Sequence, residues 1–259
     1  MKVVILCGGL GLRLTGRDPS LPKALIEIGG RPILWHIMRH YAHHGFCEFV
    51  LCLGPYGEAI KEYFVAREPW RDSDFRLKAS PGGGSVTLLG SGHNVDFDII
   101  FADTGQNTNS GGRIKRVAQY LDGEEFLASY CDGLWDGDPN ALLRHHRALG
   151  KLATVTVVHP PSPFGVVELG DGDAVTKFEE KPRLWYWING GFFAFQTAAL
   201  EHFGEDDELE RDTLVRLARM GELGAFRHEG FWQCMDTYKE TQLLNALWER
   251  NAAPWKVWE

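Results

Sequence analysis

Lys2-Val3-Val4-Ile5-Leu6-Cys7-Gly8-Gly9-Leu10-Gly11-Leu12-Arg13-Leu14 sets an apolar, β-rich run directly against a glycine-rich turn. A run that is apolar at every position, rather than at alternate ones, fits a strand buried on both faces of a parallel sheet. Glycines at the end of such a strand let backbone N–H groups approach a phosphate closely, which brings the nucleotide-binding class into play. A tight structural turn calls for the same glycines. The stretch is not a P-loop, because no Gly-Lys-Ser/Thr follows. It is not the dinucleotide fingerprint either, because the third glycine of G-x-G-x-x-G would fall at Leu14.

Working outward, β-rich runs at 49–53, 99–102, 126–130 and 153–158 alternate with helical periods at 33–44, 59–66, 114–121 and 141–149. Strands alternating with helices predict an α/β fold, a doubly wound and mostly parallel sheet covered on both faces. Ligands of such sheets gather at the C-terminal strand ends. Residues 69–95, with Pro81-Gly82-Gly83-Gly84, interrupt the rhythm as an inserted loop or hairpin. Beyond about residue 160 the strands shorten and aromatics increase, which predicts a smaller C-terminal portion folded onto the sheet. No linker divides residues 1–259 into independent domains, so one domain is expected.

The 259 residues are 44% apolar and 24% charged, a composition that excludes a disordered chain. A net charge of −8 has the wrong sign for a nucleic-acid partner, though local cations suffice for a small anionic ligand. The apolar run ahead of Gly8-Gly9 is too short for a signal peptide or a membrane span, which predicts a cytoplasmic protein without a membrane partner. Five scattered cysteines, an odd number with no C-x-x-C pair, argue against a disulfide framework and a zinc site.

Pro22-Lys23 adds a lysine within reach of the glycine loop, where it can join Arg13 in neutralising phosphates; a solvated lysine after a proline turn is the other reading. Tyr130-Cys131-Asp132-Gly133 ends another buried strand and aims a carboxylate at the ligand crevice, or starts a turn there. Magnesium takes one or two carboxylates plus phosphate oxygens. Asp236 is a candidate second carboxylate, or an N-cap of the helix that follows from Tyr238. His36, His40 and His44 recur at i, i+4 but lack a third ligand, so they read as solvated or core histidines, and Trp248, Trp255 and Trp258 read as packing or subunit contacts.

Gly8-Gly9-Leu10-Gly11-x-Arg13-Leu14 with Pro22-Lys23, Ile28-Gly29-Gly30-Arg31-Pro32-Ile33-Leu34-Trp35-His36, Asp103-Thr104-Gly105, Gly111-Gly112-Arg113, Phe164-Gly165, Glu180-Lys181-Pro182, Asn189-Gly190-Gly191 and Met235-Asp236-Thr237 stand in one order along nearly the whole chain. In this the sequence resembles the glucose-1-phosphate cytidylyltransferases, within the sugar-1-phosphate nucleotidyltransferases. The resemblance implies the nucleotide-diphospho-sugar transferase fold, with a nucleotide-binding part over about 1–160 and a sugar-phosphate-binding part over about 161–259. It implies magnesium-dependent transfer of a nucleotidyl group, CMP from CTP, to a sugar 1-phosphate, with release of pyrophosphate. Arg13 and Lys23 are then the catalytic cations. Leu6, Cys7, Gly8, Gly9, Leu10, Gly11, Leu12, Thr104, Gly112, Arg113 and Cys131 join them around the nucleotide. Asp132, Gly165, Glu180, Lys181, Asn189 and Gly190 fall on the sugar-phosphate side, Asp132 and Asp236 hold Mg2+, and a homo-oligomer is expected.

Four places along the chain depart from the family pattern. Leu12 replaces threonine before Arg13, Cys131 replaces glycine, Pro163 replaces a common arginine, and Leu184-Trp185-Tyr186-Trp187 replaces a glycine-rich stretch. The last two fall on the sugar side and predict an acceptor other than plain glucose 1-phosphate, through loss of a guanidinium fork and gain of apolar ring faces. The alternatives are another nucleoside triphosphate with a modified sugar or cyclitol phosphate, and a non-catalytic nucleotide-sugar-binding module.

Overall fold

A computed structural model describes residues 1–9, 22–67, 74–78, 85–89 and 97–258. Its strands are β1 (Lys2–Leu6), β2 (Glu27–Ile28), β3 (Arg31–Pro32), β4 (Glu48–Leu53), β5 (Asp74–Lys78), β6 (Ser85–Leu89), β7 (Asp98–Asp103), β8 (Glu125–Tyr130), β9 (Gly133–Trp135), β10 (Ala153–Val158), β11 (Val166–Leu169), β12 (Val175–Glu179), β13 (Ile188–Gln196), β14 (Leu223–His228) and β15 (Trp232–Cys234). Its helices are α1 (Ile33–His43), α2 (Gly57–Glu62), α3 (Ser110–Arg116), α4 (Pro139–Leu149), α5 (Leu214–Arg219) and α6 (Tyr238–Glu249).

Seven strands form one sheet in the order β14-β10-β13-β8-β1-β4-β7. β1 lies parallel to β4 and β8, β4 to β7, and β10 to β14, while β13 runs antiparallel to both β8 and β10. The apolar run of β1 is explained by what covers it. Val3 and Ile5 pack on one face with Ile37, Met38 and Tyr41 of α1 and with Trp255 and Trp258 of the tail. Val4 and Leu6 pack on the other with Ile114 of α3 and Leu217 of α5. Burial of each such side chain contributes roughly 1.5–3 kcal/mol, so neither face of β1 tolerates a polar residue cheaply.

The chain proceeds from β1 outward to β4 and β7, then returns to β8 on the other side of β1. That reversal opens a crevice at the C-terminal ends of β1 and β8, the place where doubly wound sheets hold ligands. The C-terminal part is woven into the same sheet through β13 and β14, whereas β11 and β12 pair only with each other as a hairpin. Residues 69–95 contain the β5–β6 hairpin, with Asp74 opposite Leu89.

Local signals end the helices. α4 starts at Asp138, whose carboxylate accepts from the Asn140 N–H, has Pro139 in its first turn, and stops at Gly150 with φ +59°. α6 starts with a capping box, Thr237 with Glu240. The N-cap role thus falls to Thr237, and the Asp236 carboxylate turns elsewhere. His36 and His40 are buried in α1 with ring nitrogens against the carbonyl oxygens of Ile28 and of Gly137 and Trp255, and Trp255 and Trp258 are core residues. The five cysteines are free thiols. Among the described residues no helix is long and apolar enough to cross a membrane.

Candidate active site

The ends of β1 and β8 open onto a cavity of about 490 Å³, lined in part by Leu6, Cys7, Gly8, Gly9, Lys23, Cys131, Asp132 and Asp236. Beneath the Gly8-Gly9 turn lies the Arg113 guanidinium, 4% exposed. It donates to the carbonyl oxygens of Leu53 (2.9 Å), Gly105 (2.8 Å), Gln106 (3.4 Å) and Gly8 (3.1 Å), and to Thr104 Oγ1 (2.7 Å). All these acceptors are uncharged, so Arg113 contributes a positive field at the cavity wall. The Thr104 hydroxyl donates to Leu53 O (2.7 Å), so Thr104 supports Arg113 from behind and does not line the cavity. Gly112 also lies behind the wall, where a Cβ would fall 2.3 Å from Glu205 O. Leu10, Gly11, Leu12 and Arg13 lie outside the described residues.

Lys23 stands on the short turn after Pro22, and its ammonium bridges Asp132 Oδ2 (2.6 Å) and Asp236 Oδ1. Burial alone would lower its pKa, but the Asp132 charge and the hydrogen bonds to both carboxylates outweigh burial and hold it above the ordinary lysine value. Asp132, Cys234 and Asp236 bring ligand atoms within 4.8 Å of one another. Burial first, then the Asp132 charge, push the Cys234 thiol up, so it stays protonated. The two carboxylates supply oxygen donors, which suit a hard cation such as magnesium. The lysine ammonium between the carboxylates marks the position as one that takes positive charge.

A second cavity of about 360 Å³ adjoins the first and shares Tyr130, Asp132 and Asp236 with it. Asn189, Gly190 and Gly191 reach it through an irregularity in β13, where Val155 of β10 pairs with Phe193 but Val157 pairs with Asn189. Gly191 has φ +82°, and a Cβ on it would fall 2.5 Å from the Tyr130 ring. Trp232 closes the wall by donating to Gly190 O (2.7 Å).

Gly165, Glu180 and Lys181 line neither cavity: Glu180 and Lys181 follow the β11–β12 hairpin, and Lys181 Nζ is paired with Glu180 Oε1 at 3.3 Å. Pro163, Trp185 and Trp187 stand outside both cavities as well. Trp185 is 86% exposed, and Trp187 packs on His159 and Arg227. The inference that the two tryptophans reshape the acceptor pocket therefore lacks the contact it needs. Tyr130, Thr108, Asn109, Ser110 and Glu210 line the first cavity without having been assigned a site role from sequence. For Thr108, Asn109 and Ser110 the local signal was the polar run Gln106-Asn107-Thr108-Asn109-Ser110 after a predicted strand, and for Tyr130 its place at the end of another, whereas Glu210 carried none.

The nucleotidyl transferase family model matches residues 2–233. Over 270 aligned positions the sequence is 43% identical to a glucose-1-phosphate cytidylyltransferase of Salmonella typhimurium, with both chains fully covered. Over 260 positions it is 41% identical to a probable glucose-1-phosphate cytidylyltransferase of Bacillus subtilis, again with full coverage of both. HddC from Yersinia pseudotuberculosis, complexed with GMP-PN, shares the fold with a TM-score of 0.69 at 19% identity, covering 95% of this chain and 99% of that one. UTP-bound UGPase from Acinetobacter baumannii does so with a TM-score of 0.67 at 14% identity, covering 95% and 92%.

Proposed function

Because the chain belongs to the nucleotidyl transferase family, we propose that it is a sugar-1-phosphate cytidylyltransferase, transferring CMP from CTP to a sugar 1-phosphate and releasing pyrophosphate. Full-length identity of 43% to a glucose-1-phosphate cytidylyltransferase supports the base and the reaction class. The observation that carries the reading is that Asp132 and Asp236 are common to two adjoining cavities, one under the Gly8-Gly9 turn and one beside Asn189.

A phosphate oxygen of the sugar phosphate attacks the α-phosphorus of CTP, the new P–O bond forms, and the bond to the β-phosphate oxygen breaks. The attacking oxygen is already ionised near neutral pH, so no general base is needed, and catalysis rests on positioning and on charge neutralisation. Asp132 and Asp236 are the residues that would hold Mg2+, which when bound supplies positive charge to the reacting phosphates. Lys23 exchanges its carboxylate partners for the triphosphate, and Arg13 joins it. Arg113 fixes the backbone of the glycine turn. Lys181 receives the sugar phosphate once the hairpin closes on the second cavity.

We assign the β11–β12 hairpin to a contact with a second copy of the chain. Leu169 is 64% exposed, Phe178 65% and Val175 58%, and both of its faces are open. A two-stranded hairpin with uncovered apolar faces is marginal in water. Sedimentation velocity should give a homo-oligomer that Phe178→Lys dissociates. A cytoplasmic location fits free thiols and a nucleoside triphosphate substrate.

Pyrophosphate release across a grid of nucleoside triphosphates and sugar or cyclitol phosphates tests the activity. CTP with glucose 1-phosphate or a close analogue should give the highest kcat/KM. Release that is faster with GTP or dTTP would overturn the base, and release with no pair would leave a non-catalytic binding module.

A further inference from the structure

Tyr130, the last residue of β8, forms part of the wall of both cavities. Its hydroxyl donates to Glu210 Oε1 and accepts from Asn189 Nδ2 at 3.1 Å. Asn189 Oδ1 in turn accepts from the Gly191 N–H at 2.8 Å. On the other side, the Ser110 hydroxyl donates to Glu210 Oε2 at 3.1 Å, while Ser110 Oγ accepts from the Leu209 N–H at 2.8 Å. A single line of hydrogen bonds thus runs from the start of α3, in the first cavity, through Glu210 and Tyr130 to Asn189 in the second.

The direction of the bonds in this line follows from two fixed groups, the Glu210 carboxylate, which only accepts, and the Gly191 N–H, which only donates. An ionised carboxylate only accepts, so the single phenolic proton of Tyr130 is committed to Glu210. The phenolic oxygen must then accept from Asn189, and the amide of Asn189 is fixed with its oxygen on Gly191. What the amide has left to offer is its second N–H. We propose that Glu210 is a positioning residue whose charge holds the phenolic proton of Tyr130 away from Asn189, so that the Asn189 amide, anchored on the Gly191 N–H, stays in the line and presents its second donor to the oxygen-rich sugar phosphate. The proposal rests on the reading that the second cavity takes the sugar phosphate.

Glu210→Gln keeps the size of the side chain but adds an amide that can donate to Tyr130, which frees the phenolic proton to turn toward Asn189. The expected result is a KM for the sugar phosphate raised about tenfold with kcat at saturation changed less than about threefold. The KM for CTP should stay the same or fall, because a negative charge leaves the triphosphate's cavity. Tyr130→Phe should act on the same parameter, and the double variant should be no worse than the poorer single one, since both break one line. A purely structural role for Glu210 would instead lower Tm and raise both KM values together. An unchanged sugar-phosphate KM, an equal rise in both KM values, or single effects that multiply in the double variant would each overturn the proposal. Calorimetric binding of glucose 1-phosphate reads the same contrast without turnover. A wild type that binds it but releases no pyrophosphate sinks the proposed activity and still leaves Glu210 under test, whereas a wild type that does not bind it overturns the positioning role as well.

Discussion

The Arg113 guanidinium lies flat against the Cα of Gly8: a Cβ on Gly8 would fall 2.1 Å from Arg113 Cζ. The guanidinium cannot step aside cheaply, since five acceptors hold it from below and from the sides. The glycine turn and the buried cation are therefore one unit, and Gly8 is required for the space at its Cα rather than for an unusual backbone angle.

Gly8→Ala should displace the guanidinium from several of its acceptors, at about 1–3 kcal/mol for each buried group left unpaired. Thermal unfolding of the variant reads the loss in stability, and the KM for CTP should rise in parallel. Arg113→Lys should make Gly8→Ala cheaper, because the slimmer side chain vacates the contact. Equal costs of Gly8→Ala in the two backgrounds would contradict the steric account.

Asp132→Asn and Asp236→Asn each remove a charge from the proposed metal site while preserving shape. Turnover should fall about a hundredfold or more at saturating magnesium, on the order of 3 kcal/mol. Each substitution should also weaken manganese binding in a titration on the nucleotide-free protein. Near wild-type turnover in either variant would take that carboxylate out of the metal site.

Lys23→Ala should chiefly damage handling of CTP, and Lys181→Ala should chiefly raise the KM for the sugar phosphate, because two anions need two cations. Lys181 is paired to Glu180 outside both cavities, so its effect depends on movement of the hairpin. Steady-state kinetics with each substrate varied in turn separate the two. If Lys181→Ala altered neither KM, the hairpin would be left with the subunit contact alone.

The neutral imidazole of His36 is satisfied on both sides, with Nε2 on Ile28 O (2.8 Å) and Nδ1 accepting from Trp255 Nε1 (3.4 Å). Burial pulls its pKa from 6.5 to about 4. The unfolded chain thus takes up a proton that the folded chain refuses, and the stability present above about pH 6.5 is lost as pH falls toward 4, on the order of 3 kcal/mol at most. His36→Gln should flatten the change in Tm between pH 6.5 and 4 relative to wild type. An equally steep change in the variant would assign it to other groups, His40 first among them.

The type and order of the main elements were legible because their signals are local. The unbroken apolar runs of β1 and β4 mark strands covered on both faces, and the glycines after β1 mark a close approach. α3 shows the limit of such reading. Gly111-Gly112 suggests a turn, yet the helix begins at Ser110 and contains both, because a Cβ on either would meet the backbone of Asp207 or Glu205. Helix propensity yields there to packing.

What the sequence by itself determined is the class of sheet, the glycine turn at its first strand and the candidate cations and carboxylates, each carried by a short motif. Only the tertiary structure decided which of these meet. Lys23 reaches Asp236 across 213 positions of chain and Tyr130 reaches Glu210 across 80, while Thr104 turns behind the wall and Lys181 stays on its hairpin. The physical reason is that periodicity and caps are properties of a few consecutive residues, whereas a shared cavity depends on strand order and on the packing of both faces, to which distant parts of the chain contribute at once.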